Sequence, residues 1–237
     1  MIIDSHAHLK HGDARKTEYS ASEIIRAMDG AGIARSVVFA MATTTERSTE
    51  MVLDAVRQYP DRLIPYAYAL PRYDRPVLPE IEEALARHGF RGIKFHLAEA
   101  TVEEYVAGPV LDLAGRYGVP CVIDFSGRLG PCQSAVSNHP QTNILICHLG
   151  RYLTQDVALA DSFIRVAEEH SNAYLDMSGV AMVHKIEEAA RRVGRACGYG
   201  PSPADGFALY LPAMGRRCTS ACGRPPLCWD WYVSGAW

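Results

Sequence analysis

The sequence predicts an α/β fold of the (β/α)8-barrel type, the TIM barrel, and three observations carry the prediction. Short apolar runs alternate with amphipathic helical stretches from residue 1 to about 194, the order that builds parallel βαβ units. No Gly-rich phosphate loop follows the first run, which argues against a doubly wound open sheet. Polar residues gather instead at the C-terminal ends of several strands, where a barrel builds its active site. The 237 residues and 48% hydrophobic content suffice for one sizeable core. The length falls just short of the ~250 usual for eight βα units and stays within their range.

Apolar runs place strands at residues 1–4, 36–40, 63–69, 92–96, 121–125, 143–148 and 173–176. Helical spacing places helices at 21–30, 45–59, 79–88, 101–117, 154–170 and 181–193, with at most a short helix between 125 and 143. Ser20 and Thr101 can cap helix starts, and Gly89 and Gly118 stand where helices should stop. The pattern gives seven strands and six clear helices with no internal linker.

The net charge of -3 with mixed signs advertises no nucleic-acid face. No apolar run reaches the ~18 residues of a membrane span. The first strand carries Asp4 and His6 where a signal peptide would be apolar. The expectation is a soluble, cytoplasmic protein with a small-molecule substrate. Cys121 and Cys147 fall in strand-like runs and read as small buried hydrophobes.

Chemistry-bearing residues recur at the strand ends. Asp4, His6 and His8 alternate along the first strand and are expected on one face. Two imidazoles side by side can hold one metal ion, zinc being the common choice. Lys94 and His96 share a face of the fourth strand, Val122 and Asp124 of the fifth, Ile144, Ile146 and His148 of the sixth, Asp176 and Ser178 of the seventh. Each has a bland alternative, such as a hydrogen-bonded barrel histidine for His148 or a helix cap for Asp176. Five strands ending this way together do not.

These segments resemble the amidohydrolase superfamily, in the amidohydrolase-2 branch that includes aminocarboxymuconate-semialdehyde decarboxylase and the pyrone-dicarboxylate lactonases. The resemblance rests on Ile2-Ile3-Asp4-Ser5-His6-Ala7-His8, Gly89-Phe90-Arg91-Gly92-Ile93-Lys94-Phe95-His96, Ile144-Leu145-Ile146-Cys147-His148-Leu149-Gly150-Arg151 and Tyr174-Leu175-Asp176-Met177-Ser178-Gly179. It implies His6 and His8 as metal ligands and His148 as the acid/base that handles protons. It also implies that Lys94 is an ammonium beside the substrate, with His96 at its side. Lys94, Arg128 and Arg151 are candidates for holding a substrate carboxylate, although a surface role suits Arg128 better. The expected cofactor is one divalent metal, zinc or else manganese. The expected activity is hydrolysis of a small carboxylate-bearing ester, lactone or amide by attack of metal-bound water. The alternatives are metal-dependent decarboxylation of a small unsaturated or aromatic acid, and an inactive barrel.

Two departures qualify the resemblance. Asp124 occupies the fifth-strand slot where relatives place a histidine ligand, so a carboxylate ligand is expected there. Relatives also continue past residue 194 into an eighth strand ending in a metal-binding aspartate. Here residues 195–237 contain no Lys, Glu, Gln, Asn, His or Ile, and hold four of the seven cysteines and all three tryptophans. The expectation is a barrel unit at 1–194, incomplete at its eighth strand, followed by an aberrant tail at 195–237 of the kind an out-of-frame translation leaves. Open strand edges would then invite homodimerisation.

Overall fold

In the computed structural model, residues 2–9, 20–100, 103–193 and the backbone of 197–198 are described. Strands and helices alternate as the hydrophobic pattern requires. The strands are β1 (Ile3–Leu9), β2 (Arg35–Ala40), β3 (Leu63–Pro65), β4 (Ala67–Tyr68), β5 (Ile93–His96), β6 (Cys121–Asp124), β7 (Ile144–Ile146), β8 (Ala173–Asp176) and β9 (Cys197–Gly198). The helices are α1 (Ala21–Gly30), α2 (Thr45–Gln58), α3 (Leu78–Arg87), α4 (Glu104–Tyr117), α5 (Leu129–Asn138), α6 (Val157–Glu169) and α7 (Val183–Val193).

Every strand pairing is parallel, in the orders β1-β2-β3 and β4-β5-β6-β7-β8-β9. The break between β3 and β4 is a handover within one run. Tyr66 donates its N–H back to Val38 O at 3.0 Å, and Ala67 donates forward to Gly92 O at 2.9 Å. Gly92 is required here, since a Cβ would lie 2.2 Å from the Tyr66 ring. The barrel stays open elsewhere: among the described residues no ladder joins β9 to β1.

Helix ends follow the local chemistry. Ser20 and Glu23 form a reciprocal capping box at the start of α1. Gly118 ends α4 in the left-handed conformation, φ 63°. α5 is present and longer than the weak pattern at 125–143 indicated, while the expected cap at Thr101 lies outside the described residues. Between sheet and helices lies one large apolar layer containing Val38, Ile93, Ile123, Ile144, Ile146, Phe163 and Leu175. A smaller cluster fills the interior, with Val37, Phe39, Tyr66, Tyr68, Val122, Leu145 and Cys147.

Two expectations about strand faces are corrected. The β1–β2 register shifts between Asp4 and Ala7, so Asp4 pairs with Ser36 but Ala7 with Val38. This bulge breaks the alternation. Asp4 does not join the histidines: its carboxylate accepts from the Ser36 hydroxyl at 2.5 Å and from the His6 N–H at 3.0 Å. The sixth predicted strand likewise stops at Ile146, and Ile144 and Ile146 face the helices. His148 reaches the interior through a tight turn, Cys147–Gly150, and not by alternation. In the tail, the backbone of Cys197–Gly198 pairs beside β8, so the eighth position holds only a two-residue strand and the barrel is incomplete there among the described residues, as expected. The remaining tail expectations lie outside the described residues.

Candidate active site

Parallel register stacks the interior in layers. Tyr68, Lys94, Val122, Leu145 and Tyr174 are successive register partners from β4 to β8. Two residues further along, the next layer comprises His96 and Asp124, which are register partners, with Cys147 and Asp176 on the neighbouring strands. Phe39 and His8, also register partners, complete it on β2 and β1. The expected residues His6, His8, Lys94, His96, Asp124 and His148 thus meet at one end of the barrel.

The same local device sets the backbone at the ends of β6 and β8 and near the start of β1. Asp4, Asp124 and Asp176 each accept a hydrogen bond from the N–H two residues on, at 3.0, 2.7 and 2.9 Å. Asp side chains favour this turn because a carboxylate oxygen can accept from a backbone N–H two residues on, where the ladder ends or is interrupted.

Hydrogen-bond partners fix the imidazole tautomers. His6 Nδ1 lies 2.7 Å from Asp176 Oδ2, so it carries the hydrogen and leaves Nε2 bare. That Nε2 is 2.8 Å from His8 Nε2, and the two rings stack with centroids 4.8 Å apart. His148 Nδ1 donates to Ser178 O at 2.6 Å, so its Nε2 is also bare and lies 3.6 Å from Asp124 Oδ2. His96 has the opposite tautomer: Nδ1 accepts from the Ala98 N–H, and Nε2–H points at Asp124 Oδ2, 3.2 Å away. The Ser178 hydroxyl donates to Asp176 at 2.6 Å and sits 2.9 Å from His148 Nδ1, linking the two histidine supports.

The charge states follow from burial and these partners. Burial, reinforced by the Lys94 charge and opposed by Asp176, pushes His6 down to about 4, so it is neutral at pH 7. Burial also lowers His148. For Asp176, burial acts upward, but His6, His148 and Ser178 outweigh it and hold the carboxyl at about 2. Asp124 behaves alike: His96 and Lys94 overcome its burial and keep it well below the usual range. At neutral pH the site therefore sets the neutral imidazoles of His6 and His148 among the ionised carboxylates of Asp124 and Asp176.

Lys94 is fully buried, donates to Cys147 Sγ at 3.2 Å, and lies 5.1 Å from the centre of the Phe39 ring. Arg151 is exposed, with its side chain against Gly127, and makes no ion pair among the described residues. Arg128 instead approaches Glu103 at 3.7 Å on the surface. Sequence reasoning missed Phe39, whose edge meets both His6 and His8, and Tyr152, whose edge meets His148. It placed Asp176 and Ser178 at a strand end without a role. Interior parity in the second strand would have flagged Phe39; nothing local flags Tyr152.

The donor set suits a divalent cation. Bare Nε2 atoms of His6 and His148, with His8 against His6, offer the neutral imidazole that zinc and its neighbours take. A carboxylate behind a ligating ring, as Asp176 stands behind His6, fixes tautomer and direction. Tetrahedral zinc with Zn–N of 2.0–2.1 Å sets its nitrogens about 3.3 Å apart, so the His6–His8 pair needs to open by only about half an ångström.

The amidohydrolase family profile matches residues 3–210. The chain belongs to that family. Solved amidohydrolase-like structures share its fold at low sequence identity. One, an amidohydrolase from Burkholderia multivorans with bound zinc, is 13% identical over 84% of this chain and 83% of its own, with TM-score 0.70. A probable 2-pyrone-4,6-dicarboxylic acid hydrolase from Acinetobacter baumannii with citric acid bound is 16% identical over 84% and 82%, with TM-score 0.63. A 2,6-dihydroxybenzoate decarboxylase from Rhizobium is 14% identical over 81% and 84%, with TM-score 0.57. No curated protein matches the chain. The amidohydrolase fold is thus an enzyme's barrel, here without a ladder between β9 and β1 among the described residues. No helix among the described residues is long and apolar enough to cross a membrane.

Proposed function

We propose that this amidohydrolase hydrolyses a small carboxylate-bearing ester, lactone or amide at a single divalent metal held by His6, His8 and Asp124. The observation that carries the proposal is the pair of facing Nε2 atoms, 2.8 Å apart, with Asp176 behind His6. A bound zinc or manganese ion would polarise the substrate carbonyl and lower the pKa of a water molecule. His148, neutral and held through Nδ1 by Ser178 O, keeps a bare Nε2 to take a proton from the attacking water and return it to the leaving group. Lys94 supplies positive charge from the floor of the site. Arg151, exposed and without an ion-pair partner among the described residues, can bind a substrate carboxylate bidentately at the rim. His96 orients Asp124 through its Nε2–H. The catalytic unit in this reading is residues 1–194.

The likeness to a pyrone-dicarboxylic acid hydrolase favours a dicarboxylate lactone as the first substrate class. The likeness to a dihydroxybenzoate decarboxylase makes decarboxylation at the same residues the second reading. Metal content of the purified chain, measured by plasma mass spectrometry beside a His6→Ala/His8→Ala control, tests the metal site. Near-stoichiometric zinc or manganese that the control lacks supports it; equal content in both rejects it. The metal-loaded protein is then offered lactones and aromatic acids. Acid release without carbon dioxide identifies the hydrolase, and carbon dioxide release the decarboxylase.

A further inference from the structure

Cys147 is a reactive side chain at the strand ends to which the hydrolytic reading gives no role. It follows β7 directly and stands two residues beyond the inward-facing Leu145, at the level of Asp124 on β6 and Asp176 on β8. Its side chain lies in the interior cluster beside Phe39 and Tyr68, while its neighbour Ile146 faces the helices. One ligand atom from each of His6, Cys147 and His148 lies within 4.8 Å of the other two, and all three residues are buried. Around a tetrahedral zinc ion, a thiolate sulfur at about 2.3 Å and an imidazole nitrogen at about 2.0 Å from the metal stand roughly 3.5 Å from each other. Small side-chain movements close the observed spacing to that value.

The turn that follows supports the same geometry. His148 and Leu149 hold φ of 58° and 49°, and Gly150 follows at φ 98°. Left-handed backbone is costly for a bulky residue such as Leu. The turn is held by its surroundings, since a Cβ on Gly150 would fall 2.0 Å from the Phe163 ring. Its consequence is that Cys147 and His148, although adjacent, both present their side chains to the interior. A continued strand would have sent one of them outward.

We propose that Cys147 Sγ is a ligand of the cation that His6 and His8 hold, giving the site a mixed imidazole–thiolate character. This inference rests on the metal reading of the proposed function and adds a fourth protein ligand to it, so that water or substrate would enter as a fifth. The sulfur binds as thiolate, and its proton leaves to solvent as the metal–sulfur bond forms. Lys94 Nζ, 3.2 Å from Sγ, then donates a charge-assisted hydrogen bond to the coordinated sulfur, an outer partner of the kind that steadies a metal ligand. A soft sulfur beside imidazole selects zinc and cobalt over magnesium and manganese.

The test is cobalt(II) substitution of the full-length protein, followed by absorption spectroscopy of wild type, Cys147→Ser, Cys147→Ala and His6→Ala. The expected result is a near-ultraviolet thiolate-to-cobalt charge-transfer band in wild type that both Cys147 variants lack. His6→Ala should bind no cobalt at this site. Zinc affinity of Cys147→Ser should fall by about 100-fold, at the upper end of the 10- to 100-fold cost of losing a mere outer partner. Cadmium NMR of the wild type, whose shift reports sulfur ligation directly, covers the case in which the variants fold poorly. His6-dependent cobalt without the band, or with a band that survives Cys147→Ala, overturns the sulfur ligand and leaves the metal reading intact. Cobalt binding that ignores His6→Ala, or no binding at all, overturns both.

Discussion

Asp176 shows how much of the site one residue sets. Its carboxylate receives the His6 ring, the Ser178 N–H and the Ser178 hydroxyl, at 2.7, 2.9 and 2.6 Å. The His6 contact keeps the ring hydrogen on Nδ1 and so keeps Nε2 bare. Asp176→Asn is nearly the same size but can present an amide N–H to the ring, which favours the opposite tautomer. Zinc affinity is expected to fall about 10- to 100-fold, the usual cost of removing the carboxylate behind a ligating histidine. Isothermal titration with zinc gives the affinity, and nitrogen NMR of the imidazoles gives the tautomer. A fall in affinity with an unchanged His6 tautomer would contradict the explanation. Little of this could be read from the sequence. The alternation of His6 and His8 is visible in the string, whereas the pairing of His6 with Asp176, 170 residues away, requires the barrel to bring β1 beside β8.

At the scale of elements, α6 and α7 are joined by a charged lattice that is partly shielded from solvent. Lys185 reaches Asp161 and Glu188 at 2.5 and 2.6 Å, and Arg192 grips Glu168 through two nitrogens at 2.8 and 2.6 Å. Hydrogen bonds from Arg192 lower the Glu168 carboxyl, and those from Lys185 and Arg192 lower that of Glu188. A carboxyl lowered by folding adds stability above its ordinary value of 4.5, and that stability is lost as pH falls through the folded value. Lys185 is raised above its ordinary 10.5, so its share is present below that value and lost as pH rises through the raised one. The stability gap between wild type and Arg192→Gln should therefore hold steady from about pH 6 to 9 and shrink as the solution is acidified below 4.5. Urea midpoints across that range measure it, and a gap that widens in acid would contradict the assignment. These helices were legible because their apolar stripe is periodic. The first and sixth predicted strands were less so, because a bulge at Asp4–Ala7 and a left-handed turn at His148 each break the alternation on which such reading depends. Both breaks occur at site residues, where local backbone preference gives way to the placing of side chains.

For the whole molecule, the decisive feature is the seam between β9 and β1, which no ladder closes among the described residues. β8 finds only two partners in β9, Leu175 with Cys197 and Asp176 with Gly198, and among the described residues no ladder links β9 to β1. Side chains bridge the gap instead. His6 on β1 bonds Asp176 on β8, Ser178 Oγ stands 3.4 Å from His6 Nδ1, and the His6 and His148 rings lie 5.0 Å apart. A cation taking nitrogen from His6 and His8 on one side and a donor from Asp124 or Cys147 on the other would therefore span the seam. Its binding energy then becomes stability of the whole fold, since the unfolded chain cannot assemble the donors. At free zinc 100 times Kd, the expected gain is about 2.7 kcal/mol. Urea unfolding with zinc and with chelator reads the difference, and hydrogen exchange should slow most in β1 and β8. His6→Ala should abolish the zinc-dependent gain, whereas Arg192→Gln, on the helical layer, should keep it. A gain that survives in His6→Ala would mean that zinc stabilises the protein somewhere other than the seam.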